Sequence, residues 1–466
     1  MAFPPGLRLP AAVQTALFIA RPLELLEWCK RRYGDVFTID TLMFGREVEV
    51  VSPELIKQVF TGDPDVLRAG EANEILGPLL GPRSVLLLDG AEHLRQRRLL
   101  MPPFHGDHVL SFARTMRAMT EQAVASFPEG KAFSIRPFMQ HLTLEVILRT
   151  VFGLDEGAEM SELRVALTNI LDRQSRFIDA VGQAPIFRRR FFGLTPWDHF
   201  LADVEVADVL IYRQIARRRA SARDGEKRTD VLAMLLEARD EEGRAMTDAE
   251  LRDELMTLLV AGHETTATML CWAFDLILGD ARVLRKLRAE IETARTAAGD
   301  LDLGALARLP YLDAAIKEVL RIRPVIPAVG RRLKAPMKLG GYDIPAGEMI
   351  VPAIVLTHLL PDIYPDPKTF MPERFVDKKT DPYTFFPFGG GTRRCLGMAF
   401  ALYEMKVVIA SVLDLLDLRK ESPRSETIKL RGFTLVPAEG TRVVIERRIA
   451  PSPRTPAPEA ERVAQA

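Results

Sequence analysis

Cysteine is nearly absent: Cys29, Cys271 and Cys395 are the only three in 466 residues. So sparse and odd a set excludes a disulfide framework and points to a reducing compartment. No two of them lie close in sequence, so at most one thiol can serve a given metal site unless the fold joins distant segments. An excess of either charge is missing as well, since Lys+Arg and Asp+Glu each total 63. Nucleic-acid binders ordinarily show a basic surplus, so that class is set aside. Long apolar runs are lacking too. The stretch Ala11–Ala20 is about half of the ~20 residues that cross a bilayer, and residues 1–6 hold no Lys or Arg to begin a signal peptide. The chain therefore reads as soluble and cytoplasmic, without a transmembrane anchor. Length alone suggests about three domains, yet no Gly/Ser-rich or Pro-rich linker divides the sequence. Only the end is biased in composition, and 447–466 is expected to be a disordered tail.

What is present is mostly helical pattern. Apolar residues recur at three- and four-residue spacing through 109–127, 142–152, 201–219, 229–238, 251–278 and 312–322. Strand-like alternation occupies 36–39 and 47–51 early, then 337–344, 349–356 and 441–446 late. Gly340-Gly341 and Pro345-Ala346-Gly347 are the turn signals. The expected fold is mainly α with a minor β portion gathered from both ends. It forms one large domain over 1–446, with 1–33 as a lead-in. No repeat of 20 to 50 residues is visible.

One cysteine stands in unusual company, in FPFGGGTRRCLGMAFALYEMK (386–406). Gly389, Gly390 and Gly391 let the backbone come close to a flat or bulky ligand. Cys395 falls at or just before the first turn of a helix expected over 396–416. Free N–H groups there, with Arg393 and Arg394 beside them, favour thiolate. A phosphatase-like nucleophile would need an arginine a few residues later, and the next is Arg419. A Walker-type loop would need a lysine that is absent. A metal-ligand role survives, beside the plainer reading of a small buried hydrophobe behind a glycine turn.

A second segment, TDAELRDELMTLLVAGHETTATMLCWAFDLILGD (247–280), predicts a helix of about 31 residues and about 46 Å. Thr247 and Glu250 make a capping box, and Gly279 is the stop. Its centre places Ala261, Gly262, His263, Glu264, Thr265 and Thr266 in what should be core. Those choices weaken a helix, and an unpaired buried carboxylate costs several kcal/mol.

Phe388, Gly391, Arg393, Cys395 and Gly397 match the F-x-x-G-x-R-x-C-x-G signature, so the chain resembles the cytochrome P-450 family, bacterial type. The resemblance implies haem b, with the Cys395 thiolate as axial iron ligand. It makes 261–265 the [AG]-G-x-[DE]-T element of a long central helix over the haem. There Thr265 partners dioxygen, Glu264 relays protons, and Ala261 and Gly262 leave room. His263 is expected to point away from the iron. Glu264 stands where aspartate is commoner. Glu318 and Arg321 match E-x-x-R, and Arg374 lies in the P-E-R-F segment 372–375; the three are implied to form a buried ionic cluster behind the haem loop. Propionate partners are implied at His93, Arg97, Arg393 and Arg331, with Arg332 as the alternative to Arg331.

The function implied is insertion of one oxygen atom of dioxygen into a C–H bond of a lipophilic substrate, a fatty acid, terpenoid, steroid or polyketide. A peroxide-driven peroxygenase and a haem-binding sensor are the alternatives. Pocket residues by analogy are 70–88, 177–192, Ala261–Thr265, Val325, Val329 and Phe433. The arginines in 186–192 meet either a substrate carboxylate or solvent. No flavin or iron–sulfur segment follows the haem region, so a separate ferredoxin or flavodoxin with its reductase is expected, docking near Arg95, Arg98 and Arg394. The protein is expected to be a monomer.

Overall fold

The computed structural model describes residues 2–154, 157–180, 195–223 and 228–449. Its axis is the helix Asp248–Leu278. The capping box forms at its start: the Glu250 N–H donates to Thr247 Oγ1 at 3.2 Å, and the Thr247 N–H donates to Glu250 Oε2 at 2.7 Å. Gly279 follows its last turn. The helix packs against Arg136–Thr150, Pro196–Arg223, Pro310–Ile322 and the helix that follows the cysteine, Met398–Leu415. Continuous apolar side chains from these helices make the main core.

The central helix is tied at both ends. In its first half Asp253 Oδ2 accepts from the Arg83 N–H at 2.9 Å, Glu254 Oε1 from the Val85 N–H at 2.8 Å, and Thr257 bonds Ser84 at 2.7 Å. Those bonds fix segment 83–85 as a wall beside it. In its second half Trp272 Nε1 donates to Leu435 O at 2.9 Å, and Thr441 Oγ1 donates to Cys271 O at 2.9 Å.

Five strands form the larger sheet, in the order Val36–Thr41, Gly45–Val50, Met349–Pro352, Arg331–Leu333, Leu67–Arg68. The first pair is an antiparallel hairpin (Val36 opposite Val50), and Glu47 lies parallel to Met349. A three-stranded sheet joins Phe133–Ser134, Arg442–Arg448 and Leu416–Lys420.

Three differences from the sequence reading have physical causes. The strand expected over 349–356 stops at Pro352 and a short helix, Ile354–Thr357, follows. An unbroken apolar run fits both structures, and Pro352 has no N–H to continue the ladder. The helix expected over 109–127 is two, Asp107–Ser111 and Ala113–Ala125. At the chain's end the last strand runs past Glu446 to Arg448, and the Ile449 N–H bonds Leu415 O at 2.8 Å. The remainder of the expected tail lies outside the described residues.

Candidate functional site

The cysteine loop closes on itself: the Cys395 N–H donates to Phe388 O at 3.0 Å, and Phe388 packs on the main core. Two of its glycines have left-handed backbones, Gly389 at φ 67° and Gly391 at φ 65°. A Cβ on Gly390 would come within 2.2 Å of the Phe60 ring, and one on Gly391 within 2.3 Å of Phe60 O. Gly390 and Gly391 therefore admit the helix Pro53–Thr61 that carries Phe60. Gly397 is the one with open space, nothing lying within 4 Å of its would-be Cβ.

Cys29 and Cys271 are fully buried, whereas Cys395 is exposed. Its sulfur accepts from the Gly397 N–H, and Arg97 and Arg394 lend positive potential. The residue has accessible surface, yet the protein atoms packed around its sulfur desolvate it and raise the thiol above its ordinary pKa against those contributions. The helix begins at Met398, later than expected, so Cys395 lies outside its first turn. The full macrodipole effect is confined to that turn.

Beside the loop the chain collects positive charge. His93, Arg331 and Arg393 line one groove together with Asp89 and Phe60. Burial lowers the His93 pKa to about 3, with Arg393, Arg97 and Arg331 adding repulsion. Arg331 is likewise pulled down to about 10 by burial and then by Arg393. Arg393 donates to Val85 O at 3.1 Å and pairs with Asp89. Asp89 is already shared, accepting from the Gly70 and Glu71 N–H groups at 2.9 and 3.1 Å. The Arg97 side chain has no hydrogen-bond partner among the described residues, its carbonyl accepting from the Met101 N–H at 3.0 Å. Arg332 donates instead to Gly347 O at 3.0 Å, so the structure places Arg331, not its neighbour, in the cluster.

Three guanidinium groups and the His93 imidazole against one shared carboxylate leave room for a ligand with two carboxylates. An accessible sulfur on the adjoining loop suits a soft axial position. The residues present therefore fit iron protoporphyrin IX, with Cys395 toward the iron and His93, Arg97, Arg331 and Arg393 toward the propionates.

At the centre of the long helix Ala261 is exposed, between residues that are buried or half-buried. One turn on, the Thr265 hydroxyl donates to Ala261 O. His263 turns into the protein, 4% exposed, with Nε2 2.9 Å from Gln140 O. Glu264 pairs with Arg136 and accepts from Gln140 Nε2 at 2.7 Å. Neither partner was legible in sequence. Arg136 and Gln140 share a face at i, i+4 of the helix Arg136–Thr150, but nothing local says what that face meets.

Behind the loop Arg321 grips Glu318 with two bonds, 2.7 and 2.8 Å, and neither residue is exposed. Arg374 Nε is 3.3 Å from Glu318 Oε1. Arg321 also donates to His358 O at 2.8 Å. His358, unmarked in the sequence reading, links the cluster to the cysteine loop: the Phe386 N–H donates to its Nε2 at 2.9 Å. Burial, then Arg321, lowers its pKa to about 3, so the ring is neutral and can accept.

Residues 4–442 match the family model described as Cytochrome P450. Over 445 residues the sequence is 43% identical to cytochrome P450 135B1 of Mycobacterium tuberculosis, covering 95% of this chain and 91% of that one. It is 38% identical to cytochrome P450 138 of the same organism, covering 96% of each. The chain belongs to the cytochrome P450 family. The solved cyanobacterial CYP120A1 with bound retinoic acid superposes with a TM-score of 0.83 at 23% identity, over 96% of this chain and 100% of that one. The haem domain of cytochrome P450DA gives 0.82 at 22%, over 98% and 100%. This cytochrome P450 is thus a haem-dependent monooxygenase of the P450 fold.

For a P450, the remaining expectations divide. Val325 is buried, and its carbonyl accepts from the Leu435 N–H at 2.8 Å. Val329 stands 3.8 Å from the would-be Cβ of Gly389. The Phe433 ring lies 6.0 Å from Phe44. Segment 181–192 of the expected pocket, with its arginines, lies outside the described residues. Of the arginines expected at a docking face, Arg95 is enclosed by partners while Arg98 stays on the surface. Arg95 is engaged with Asp240 at 2.7 Å and Glu250 at 2.6 Å, and Arg98 pairs with Glu241. A guanidinium that already has carboxylate partners adds little to a docking potential. Of the three, Arg394 is an exposed charge without an ion pair among the described residues.

Proposed function

We propose that this P450 hydroxylates a lipophilic small molecule, with electrons delivered by a separate ferredoxin or flavodoxin and its reductase. The observation that carries the reading is the polar break in the central helix, where Ala261 is exposed with Thr265 one turn away and Glu264 alongside. Haem held through Cys395 supplies the reduction of dioxygen and the oxidation of a C–H bond. The chain's own work is positional. Ala261 keeps the exposed side of that turn low in bulk, and Gly262 lets Ile147 of the neighbouring helix close in, 3.1 Å from its would-be Cβ. The Thr265 hydroxyl, bonded to Ala261 O, can turn to donate into the cavity. Glu264 has both carboxylate oxygens in use, on Arg136 and Gln140, so handing a proton to Thr265 requires it to leave one of them. Aliphatic and aromatic groups at Val329 and Phe433 favour an apolar substrate. Cys29 and Cys271 have thiols pushed up to about 12 by burial and are poor candidates for a second redox centre.

A two-step experiment tests the reading. Ferric protein is first titrated with fatty acids, terpenoids, steroids and polyketides, following the Soret band. Hits are then turned over with reduced ferredoxin or flavodoxin under ¹⁸O₂. One labelled oxygen in the product supports the proposal. Product formed only with hydrogen peroxide replaces it with a peroxygenase, and Soret shifts without product replace it with a sensor.

A further inference from the structure

The helix Ala11–Ala20 is inside out. Its two polar side chains face the protein: Gln14 Nε2 donates to Leu9 O at 2.8 Å, its Oε1 accepts from the Asp40 N–H at 2.9 Å, and Thr15 Oγ1 accepts from the Leu42 N–H at 2.9 Å. Ala12, Val13, Ala16, Leu17, Ile19 and Ala20 are exposed. At about 100° per residue those positions sweep about 160° of the helix with no polar side chain among them. Leu9 precedes the strip, and Leu42 is held against the helix by Thr15. Leu9, Val13, Leu17, Ile19 and Leu42 each expose 38% to 46% of their surface. Solvation alone rewards the opposite arrangement, with Gln and Thr outside.

Charge identifies what covers the strip. Arg8 and Arg21 bracket the helix, both exposed and neither side chain partnered among the described residues. Residues 1–23 contain no Asp or Glu; the first acid is Glu24. Asp40, on the strand packed against the helix, lends its charge to Arg46. An aliphatic face with a guanidinium at each end matches the boundary of an anionic bilayer, where apolar groups enter the acyl region and arginines reach phosphates. Another protein fits less well. A helix about 15 Å long offers a face far below the roughly 800 Å² per partner of a stable interface. Among the described residues no helix is long and apolar enough to cross a membrane, so contact would be with one leaflet. We propose that the helix Ala11–Ala20, with Leu9 and Leu42, docks this protein on anionic phospholipid surfaces. The inference does not depend on the substrate proposed above.

Flotation of the haem-loaded protein tests it, using vesicles of equal parts phosphatidylcholine and phosphatidylglycerol beside vesicles of phosphatidylcholine alone. The wild type is expected to float with the anionic vesicles and to be released by salt. Val13→Glu/Leu17→Glu should bind at least about tenfold more weakly, and Arg8→Glu/Arg21→Glu should lose the anionic preference. Both pairs should keep the wild-type melting temperature, since the substituted side chains are exposed. Wild type that stays unbound at every composition overturns the proposal. So does Val13→Glu/Leu17→Glu binding as well as wild type, which would assign the contact to another surface. A dimer that this variant dissolves, without flotation, would make the face a contact between copies instead.

Discussion

Arg136 and Glu264 form an ion pair that joins the central helix to its neighbour Arg136–Thr150, and Gln140 holds the second carboxylate oxygen. The acid beside Thr265 is thus parked against another helix. Glu264→Gln should keep the fold and leave substrate affinity, read by the Soret titration, unchanged. Turnover should fall about a hundredfold, the usual size of a lost proton-transfer group. The solvent isotope effect on turnover should rise with it. Wild-type turnover in Glu264→Gln would remove the proton role. Arg136→Ala, which strands a half-buried carboxylate, should cost about 1–3 kcal/mol in urea unfolding.

The Glu318–Arg321 pair is fully enclosed. Breaking a buried ion pair from one side leaves an uncompensated charge, so Glu318→Gln should lose about 3–5 kcal/mol. Arg321 continues through His358 to the Phe386 N–H, and the loss should therefore also appear as faster haem release. Unchanged unfolding and haem retention would show the cluster to be dispensable.

Glu404, on the helix Met398–Leu415, is 1% exposed; its Oε1 has no hydrogen-bond partner among the described residues, and burial raises its pKa to about 8. The folded state therefore holds this proton more tightly than the unfolded chain, whose value is near 4.3. Its contribution to stability is fully present below about pH 4, declines as pH rises, and is gone above about pH 8. Glu404→Gln should be close to neutral at about pH 4 and stabilising by roughly 3–5 kcal/mol at about pH 8. Urea midpoints of the two proteins across that range give the difference. Parallel curves would mean the carboxyl is partnered in solution.

Gly391 and Gly397 should separate folding from haem binding. Gly391→Ala puts a Cβ against Phe60 O at a left-handed φ, and should destabilise the apoprotein by about 2 kcal/mol or more. Gly397→Ala meets nothing in the protein, so apoprotein stability should hold while haem affinity falls. Equal haem retention in Gly397→Ala and wild type would place the porphyrin elsewhere.

Features with a local cause were legible in the sequence. The Thr247/Glu250 cap is complete within four residues, and the apolar period after it fixes a helix ending at Gly279. Cys395 stands in a motif whose spacing is local too. What escaped depends on contacts between distant segments. Nothing near Gly390 announces Phe60, nothing near Arg95 announces Asp240, and nothing near Phe386 announces His358. Arg95 illustrates the difficulty: an arginine looks the same in sequence whether it waits for a partner protein or is spent internally.

Trp272 and Cys271 on the central helix are bonded to Leu435 and Thr441, 163 and 170 residues later. During synthesis the central helix is made long before the strands that lock it, so it gains that bracing only after a further 163 to 170 residues have been added.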